Sequence, residues 1–210
     1  MTVRLYDYWR SSAAYRVRIA LNLKGIAYEA VPTSLLDGAQ KAPDYVAMNP
    51  QGLVPMLEVD GLRLTQSLAI IDWLDVTYAE PRLIPAEPAA RAAELAKALV
   101  IAADIHPINN LRILKYLKKE LGHEQAEIDQ WARHWIIEGF AALEAMADPA
   151  APFLSGDAPG LADIFLVPQM ANAHRVATPL EAFPKLVAID ARARALEPFA
   201  RAHPDAVKPD

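Results

Sequence analysis

The 210-residue chain contains no cysteine, which excludes disulfides, thiolate metal sites and CxxC redox pairs. Any thiol chemistry would therefore need a thiol from another molecule. Basic clusters are missing as well: no run of five or more basic residues occurs, and the net charge is −5. This balance predicts no nucleic-acid partner. The histidines form no HExxH or other metal-ligand spacing, so we expect no metal site.

Long apolar runs are also missing from the chain. None approaches the roughly 18 residues that a membrane-spanning helix requires, and the N-terminal MTVRLYDYW lacks the apolar core of a signal peptide. The hydrophobic content of 53% and the charged content of 22% are ordinary for a globular protein. We therefore expect a cytoplasmic protein without membrane association.

The first part of the chain alternates strand-like and helix-like patterns. Helical spacing of apolar residues from Ala13 to Lys24 predicts the first helix, and Ser67 opens another. Asp60-Gly61 between two short alternating runs predicts a β-hairpin. The order of these elements predicts a compact α/β unit. Its predicted strands cover residues 3–8, 26–32, 54–59 and 62–65.

A proline-rich connection separates this unit from the rest of the chain. The segment AEPRLIPAEP, residues 79–88, has the composition of a stiff interdomain linker. Beyond it, apolar residues recur every three or four positions, which predicts an all-α second part. The predicted fold is thus α/β plus all-α, with domains at residues 1–80 and 88–210.

Arg10, Ser11 and Ser12 lie where the first strand ends and the first helix begins. A helix N-terminus exposes unpaired N–H groups and the positive end of the helix dipole, so it favours an anion or a thiolate. A serine hydroxyl there can donate to sulfur. The simpler interpretation is that one serine caps the helix, and the residues alone leave both interpretations open.

A second candidate site surrounds the hairpin. Pro55 lies inside an apparent strand, where proline removes a hydrogen-bond donor, so we expect an edge, a bulge or a cis turn at Val54-Pro55. Gln66 and Ser67 start the next helix and form another N-terminal site on which an acidic group could rest. Simple capping by Ser67 is the alternative.

Several separated segments together are similar to one protein family: RSSAAYRVRIALNLKGIAYE, NPQGLVPML, QSLAIIDWL, HPINNLRILKYL and LADIFLVPQMANAHR. In order and spacing they resemble the zeta-class glutathione transferases, in particular the maleylacetoacetate and maleylpyruvate isomerases. The resemblance covers nearly the whole chain. It implies a thioredoxin-like N-terminal domain that binds glutathione and a helical C-terminal domain that completes the substrate pocket.

The resemblance assigns roles to the residues at the two helix starts. Ser11, with Ser12 beside it, matches the serine near the glutathione sulfur. Val54-Pro55 matches the cis-proline turn whose backbone pairs with the cysteinyl part of glutathione like an added strand. Gln66 and Ser67 match the pair that holds the γ-glutamyl carboxylate.

Further candidates lie in the second part of the chain. Arg175, in NAHR, matches the arginine that the family uses for a substrate carboxylate. Arg112, His106 and Asn110 lie in HPINNLR, which resembles the maleylpyruvate-type bacterial sequences; Arg112 is a candidate for the substrate and the other two for glutathione. Arg10, at the predicted mouth of the site, is the third arginine fit for a diacid. A surface salt bridge is the alternative for Arg112, and a structural role for His106.

The chain departs from the family pattern at two positions. Ala13 replaces the cysteine of the usual Ser-Ser-Cys motif, so that cysteine is not strictly required if the protein is active, and its loss could lower or redirect activity. Gly160 replaces the serine or threonine that caps a buried helix together with Asp163. Because glycine is a tolerable N-cap, we expect this helix to remain with one interaction fewer.

The resemblance implies a glutathione-dependent cis–trans isomerase of a maleyl-containing diacid, acting by reversible thiolate addition in the breakdown of aromatic compounds or tyrosine. Maleylpyruvate and maleylacetoacetate share the maleyl end, so both are candidate substrates. Catalysis would involve Ser11, Ser12 and Arg10. The alternatives are a general glutathione transferase that conjugates electrophiles and a non-catalytic scaffold with the same fold. The resemblance also implies a homodimer and a small dicarboxylate partner.

Overall fold

The computed structural model describes residues 2–209, which cluster into two units: residues 2–83 with 195–209, and residues 84–194. A short 3₁₀ turn at Ala39–Lys41 and a π-helical segment at Val100–Ile105 add to the regular elements. In chain order, the strands and α-helices are β1 (Val3–Asp7), α1 (Ser12–Leu23), β2 (Glu29–Pro32), α2 (Pro43–Met48), β3 (Met56–Val59), β4 (Leu62–Thr65), α3 (Ser67–Thr77), α4 (Pro88–Leu99), α5 (Leu111–Lys119), α6 (Gln125–Met146), α7 (Leu161–Arg175), α8 (Pro184–Arg194), α9 (Glu197–Ala202) and α10 (Pro204–Val207).

The first unit is built on a four-stranded mixed sheet in the order β2-β1-β3-β4. Strand β1 runs parallel to β2 and antiparallel to β3, while β3 and β4 form the predicted hairpin. Asp60 and Gly61 join the hairpin strands with φ angles of 47° and 88°. Positive φ at both central residues suits the right-handed twist of paired strands, which explains the preference for Asp-Gly at this turn.

Helix α1 packs against α3 and against α9, near the end of the chain. The Nε of Arg18 donates to the carbonyl of Ala202 at 3.0 Å, and Asn22 donates to the carbonyl of Pro198 at 2.9 Å. Residues 195–209, which the sequence analysis assigned to the second domain, therefore cluster with the first unit. Helical periodicity shows that a segment is helical, but not which element it packs against.

The second unit is all-α, as predicted, and α7 forms its centre. Every residue of α7 from Leu161 to Met170 is buried. Helices α4 and α8 and the π-helical segment pack against it, while α6 contacts α5, α8 and the π-helical segment. A helical segment that is buried on all sides belongs in the core of such a bundle.

The N-terminus of α7 receives a cap from a distant helix. Asp163 accepts hydrogen bonds from the N–H groups of Gly160, Leu154 and Ser155 at 3.1, 2.8 and 3.1 Å. Glu94, on α4, accepts from the N–H of Ala162 at 2.7 Å. As expected, the helix remains although Gly160 provides no side-chain cap, and the Glu94 carboxylate supplies an acceptor for one of the free N–H groups.

Glu94 is buried and also accepts from the Ser155 hydroxyl at 2.5 Å. Burial raises the pKa of its carboxyl, and the neighbouring charge of Asp163 adds to the rise, while the hydrogen bonds from Ser155 and Ala162 oppose it. A carboxyl whose pKa is raised by folding contributes stability below its unfolded pKa of about 4.3. That contribution is lost as the pH rises through the folded pKa.

Replacing Glu94 with glutamine keeps an acceptor for Ala162 and removes the titration. We therefore expect the free energy of unfolding to fall less for Glu94→Gln than for the wild type between about pH 4 and pH 7. Urea unfolding across this range measures the difference. Glu120→Gln, at an exposed site of the same unit, is the control and should keep the wild-type profile. Parallel profiles for Glu94→Gln and the wild type would contradict the prediction.

Candidate active site

Ser11 is the N-cap of α1. Its Oγ accepts from the N–H of Ala14 at 3.2 Å, which confirms that this serine caps the helix. The side chain is half-buried, whereas Ser12, in the first turn, is buried. A hydroxyl that accepts one bond still has its hydrogen to donate. Capping and donation to a bound sulfur are therefore compatible roles for Ser11.

The Val54–Pro55 peptide bond is cis, one of the alternatives that the sequence predicted, and Pro55 directly precedes β3. The loop before it is anchored at the Leu53 carbonyl. This oxygen accepts from the Tyr45 hydroxyl and from the Asn49 side chain, each at 2.7 Å. The backbone next to the cis turn is thus held by two side chains from residues 43–49.

Gln66 is the N-cap of α3 and has φ 68° and ψ 114°, a backbone conformation unusual for a residue with a side chain. Its side chain is exposed and donates to Oε1 of Gln51 at 2.8 Å rather than capping the helix. Strained residues of this kind cluster at binding sites, where the surrounding structure holds them. The geometry therefore marks the start of α3 as a functional-site candidate.

Ser67 is the first residue of α3 and is buried. Because the N-cap is Gln66, the interpretation of Ser67 as a simple cap is wrong. Its Oγ instead accepts from Nη1 of Arg16, on α1, at 3.3 Å. The N-terminal amides of α3 point to a place where an anion would find donors and the positive end of the helix dipole.

In the second unit, His106 follows the π-helical segment and is half-buried. Its N–H donates to the Ile101 carbonyl at 2.8 Å, and Asn110 caps α5 by accepting from Arg112 N at 3.1 Å. A Cβ at Gly139, on α6, would overlap the Ile105 side chain, so glycine allows α6 to approach the π-helical segment closely. Such segments are frequent at functional sites.

The three candidate arginines are all exposed. Cζ of Arg10, in the first unit, lies 5.5 Å from the centroid of the Trp9 ring. In the second unit, Arg112 is the second residue of α5. Nη2 of Arg175 donates to Oδ1 of Asn172 at 2.6 Å, one turn earlier on α7. Arg175 is thus oriented by its own helix, with its guanidinium at the surface.

Sequence reasoning missed Arg16 and Gln51, which contact Ser67 and Gln66. A signal was present for Arg16, since it lies between Tyr15 and Val17 in an apolar stretch of α1. Gln51 carried no comparable signal. Within residues 2–209, no group of three or more His, Asp or Glu side chains could hold a metal ion. In the same range, no helix combines the length and the apolar character needed to cross a bilayer.

A four-stranded mixed sheet with helices α1 and α3, followed by a helical unit, is the architecture of a glutathione transferase. The family model for the glutathione S-transferase N-terminal domain matches residues 1–76. Relatives that align over nearly the whole chain narrow the assignment from the glutathione transferases to one family within them. The maleylacetoacetate isomerase of Rhizobium meliloti (strain 1021) is 51% identical over 98% of this chain and 97% of its own. The chain belongs to the zeta-class family of maleylacetoacetate and maleylpyruvate isomerases.

Solved structures agree with this family. A holo structure of a maleylpyruvate isomerase, a bacterial zeta-class glutathione transferase, has a TM-score of 0.95 and 43% identity over 98% of each chain. A maleylacetoacetate isomerase from Methylobacterium extorquens AM1, with bound malonate and glutathione, has a TM-score of 0.89 and 41% identity over 97% of each chain. Both cover the two units described above.

The strain at Gln66 predicts an unusual response to mutation. Gln66→Gly and Gln66→Ala both remove the contact with Gln51, but only glycine relaxes the backbone. We expect the glycine variant to be more stable than the alanine variant by at least about 1 kcal/mol, measured by urea unfolding.

The control is the same pair of substitutions at Glu87, the N-cap of α4, where φ is −66°. Glycine is a better N-cap than alanine at any helix start, so the Glu87 pair measures that preference alone. The difference between glycine and alanine should be larger at Gln66 than at Glu87. Equal differences at the two sites would show that the positive φ of Gln66 is not strained.

Proposed function

We propose that this protein is a glutathione-dependent cis–trans isomerase that converts a maleyl-containing diacid into its fumaryl isomer. The observation that carries the proposal is the 51% identity, over nearly the whole of both chains, to a maleylacetoacetate isomerase. Because relatives include maleylpyruvate isomerases as well, both maleylacetoacetate and maleylpyruvate are proposed substrates.

The residues at the start of α1 fit the chemistry that this reaction needs. Glutathione would supply a thiolate that adds to the double bond to form a C–S bond, so that the carbon–carbon bond becomes single and can rotate. Breaking the C–S bond would then return the thiolate and leave the trans double bond. A free thiol has a pKa of about 8.5, so the site must favour the charged form. The positive end of α1 and the hydroxyl of Ser11 both do so. Ser12 is buried, which supports Ser11 as the hydroxyl that meets the sulfur.

The same unit has places for the rest of the glutathione molecule. The backbone at Val54, next to the cis bond, would pair with the cysteinyl part as an added strand. The N-terminus of α3, with Gln66 and Ser67, would hold the γ-glutamyl carboxylate. The first unit is therefore the proposed glutathione-binding domain.

The second unit is the proposed substrate domain. Arg175 and Arg112 are proposed to bind carboxylates of the diacid, for which a guanidinium is the best-matched partner. Arg10, in the first unit, is a separate candidate for the same role. The bound malonate in the Methylobacterium extorquens relative is likewise a dicarboxylate. His106 and Asn110 are proposed as further glutathione contacts. Negative charge that develops on the substrate during addition would be stabilised by these same arginines.

Ala13 leaves no protein thiol near the start of α1. In this proposal the nucleophile belongs to glutathione, so the reaction proceeds without the family's usual cysteine. Reduced glutathione is also a reason to propose a cytoplasmic location, because the cytosol maintains its thiols in reduced form.

The test is the glutathione-dependent loss of maleylpyruvate and of maleylacetoacetate absorbance. Removing the Arg175 guanidinium deletes a charge-assisted contact, so we expect Arg175→Ala to lose about 10–100-fold in kcat/KM. Ser11→Ala should lose activity while Ser11→Thr, which keeps a hydroxyl, retains more of it. Arg194→Ala removes an arginine on α8 whose partner is Asp190, and this control should keep wild-type activity.

Other outcomes separate the competing functions. Conjugation of a generic electrophile without turnover of either diacid would replace the isomerase by a general glutathione transferase. Binding of glutathione without activity in any of these assays would favour a non-catalytic scaffold. Full activity of Arg175→Ala would remove this arginine from the proposed substrate site.

We also propose that the protein is a homodimer through the face formed by β4 and α3, which contact each other in the first unit. Val76 on α3 is 73% exposed and Leu62 on β4 is 45% exposed, and a second copy would cover these apolar side chains. Val76→Glu should shift the mass measured by light scattering from dimer to monomer. Leu121→Glu, at another exposed apolar site, is the control and should leave the mass unchanged. A wild-type monomer would contradict the proposal.

A further inference from the structure

Arg16 occupies an unusual place for a charged side chain. It lies on α1, is only 2% exposed, and its Nη1 reaches the hydroxyl of Ser67 at the start of α3. Burial lowers the pKa of the Arg16 guanidinium to about 9, so the group still carries its charge at neutral pH. A full positive charge is thus held in the protein interior beside the N-terminus of α3.

The position of this charge matters because the α3 N-terminus already favours anions. At a distance of several ångströms, a guanidinium in a low-dielectric interior attracts an anion more strongly than the same charge at the surface does. The hydrogen bond from Arg16 also fixes the rotamer of Ser67, whose side chain is itself a proposed contact of glutathione. Helix dipole, Ser67 and Arg16 therefore combine at one place.

We propose that Arg16 is a positioning residue of the glutathione site, orienting Ser67 and adding positive potential where the γ-glutamyl α-carboxylate binds. This inference rests on the proposed function, since it presumes that glutathione occupies the start of α3. Arg16 acts through Ser67 and through space, without touching the reacting sulfur. Arg16 therefore affects the affinity for glutathione and not the rate of the reaction once glutathione is bound.

The test compares two peptides by calorimetry. Glutathione has the α-carboxylate, and γ-aminobutyryl-cysteinylglycine is the same peptide without it. Arg16→Met should weaken glutathione binding by about tenfold or more, because the charge is lost in a buried setting. The Kd of the decarboxylated peptide should change less than about twofold, because the missing carboxylate was the group that felt the charge. Arg16→Lys keeps the charge and should fall between the wild type and Arg16→Met.

A double-mutant cycle with Ser67→Ala separates orientation from overall stability. In the Ser67→Ala background, Arg16→Lys should cost less glutathione affinity than it does in the wild type, because its hydrogen-bond partner is already gone. This cycle also stands if Arg16→Met fails to fold. The kcat at saturating glutathione should stay near the wild-type value for Arg16→Lys, with the change confined to KM for glutathione.

Distinct results would overturn the inference. Equal weakening of both peptides by Arg16→Met would assign Arg16 a purely structural role. Additive losses in the cycle would show that Arg16 does not act through Ser67. If wild-type protein bound glutathione normally and Arg16→Lys and Arg16→Met did too, only this inference would fail. Wild-type protein that bound neither peptide would overturn the proposed function together with it.

Discussion

The buried ion pair between Arg18 and Asp7 is the interaction on which the first unit depends. Nη1 of Arg18 lies 2.7 Å from both carboxylate oxygens of Asp7, and both side chains are buried. Burial raises the pKa of the Asp7 carboxyl, although Arg18 opposes the rise. The same guanidinium donates to the carbonyls of Trp9 and Ala202. One side chain therefore joins the end of β1, helix α1, the loop before Ser11 and the C-terminal segment, and breaking such a pair costs about 3–5 kcal/mol.

The first unit also holds a strained backbone conformation and a buried charge next to the proposed glutathione site. The Trp9 carbonyl is held two residues before Ser11, while Gln66 keeps a positive φ at the start of α3. Arg16, two residues before Arg18 on the same helix, carries a buried charge to Ser67. Helix α1 thus contributes Arg18, which pairs with Asp7 in the interior of the unit, and Arg16, which contacts Ser67 at the proposed glutathione site. Strain and buried charge beside a site reduce stability, and they persist where packing elsewhere outweighs them.

Local signals in the sequence predicted a large part of this architecture. Asp60-Gly61 indicated the hairpin because few residue pairs adopt its turn, and Ser11 indicated the start of α1 because its side chain caps the helix. Pro55 pointed to an irregular backbone that proved to be a cis turn. The resemblance to the zeta-class family, since confirmed, identified the candidate residues around both helix starts. Each of these predictions rests on a few adjacent residues or on a motif.

Long-range contacts were beyond such reasoning, and Gly160 illustrates why. The sequence indicated a helix with a missing cap, but only the folded chain brings Glu94 of α4, 68 residues away, to the N–H of Ala162. Likewise, only the fold places residues 195–209 on α1 and directs Arg16 at Ser67. The sequence by itself determined the hairpin, the starts of α1 and α3, the helical character of the second unit and the family, because turns, caps and motifs are local. The tertiary structure alone decided which buried charges meet, because burial and partner choice depend on residues that are distant along the chain.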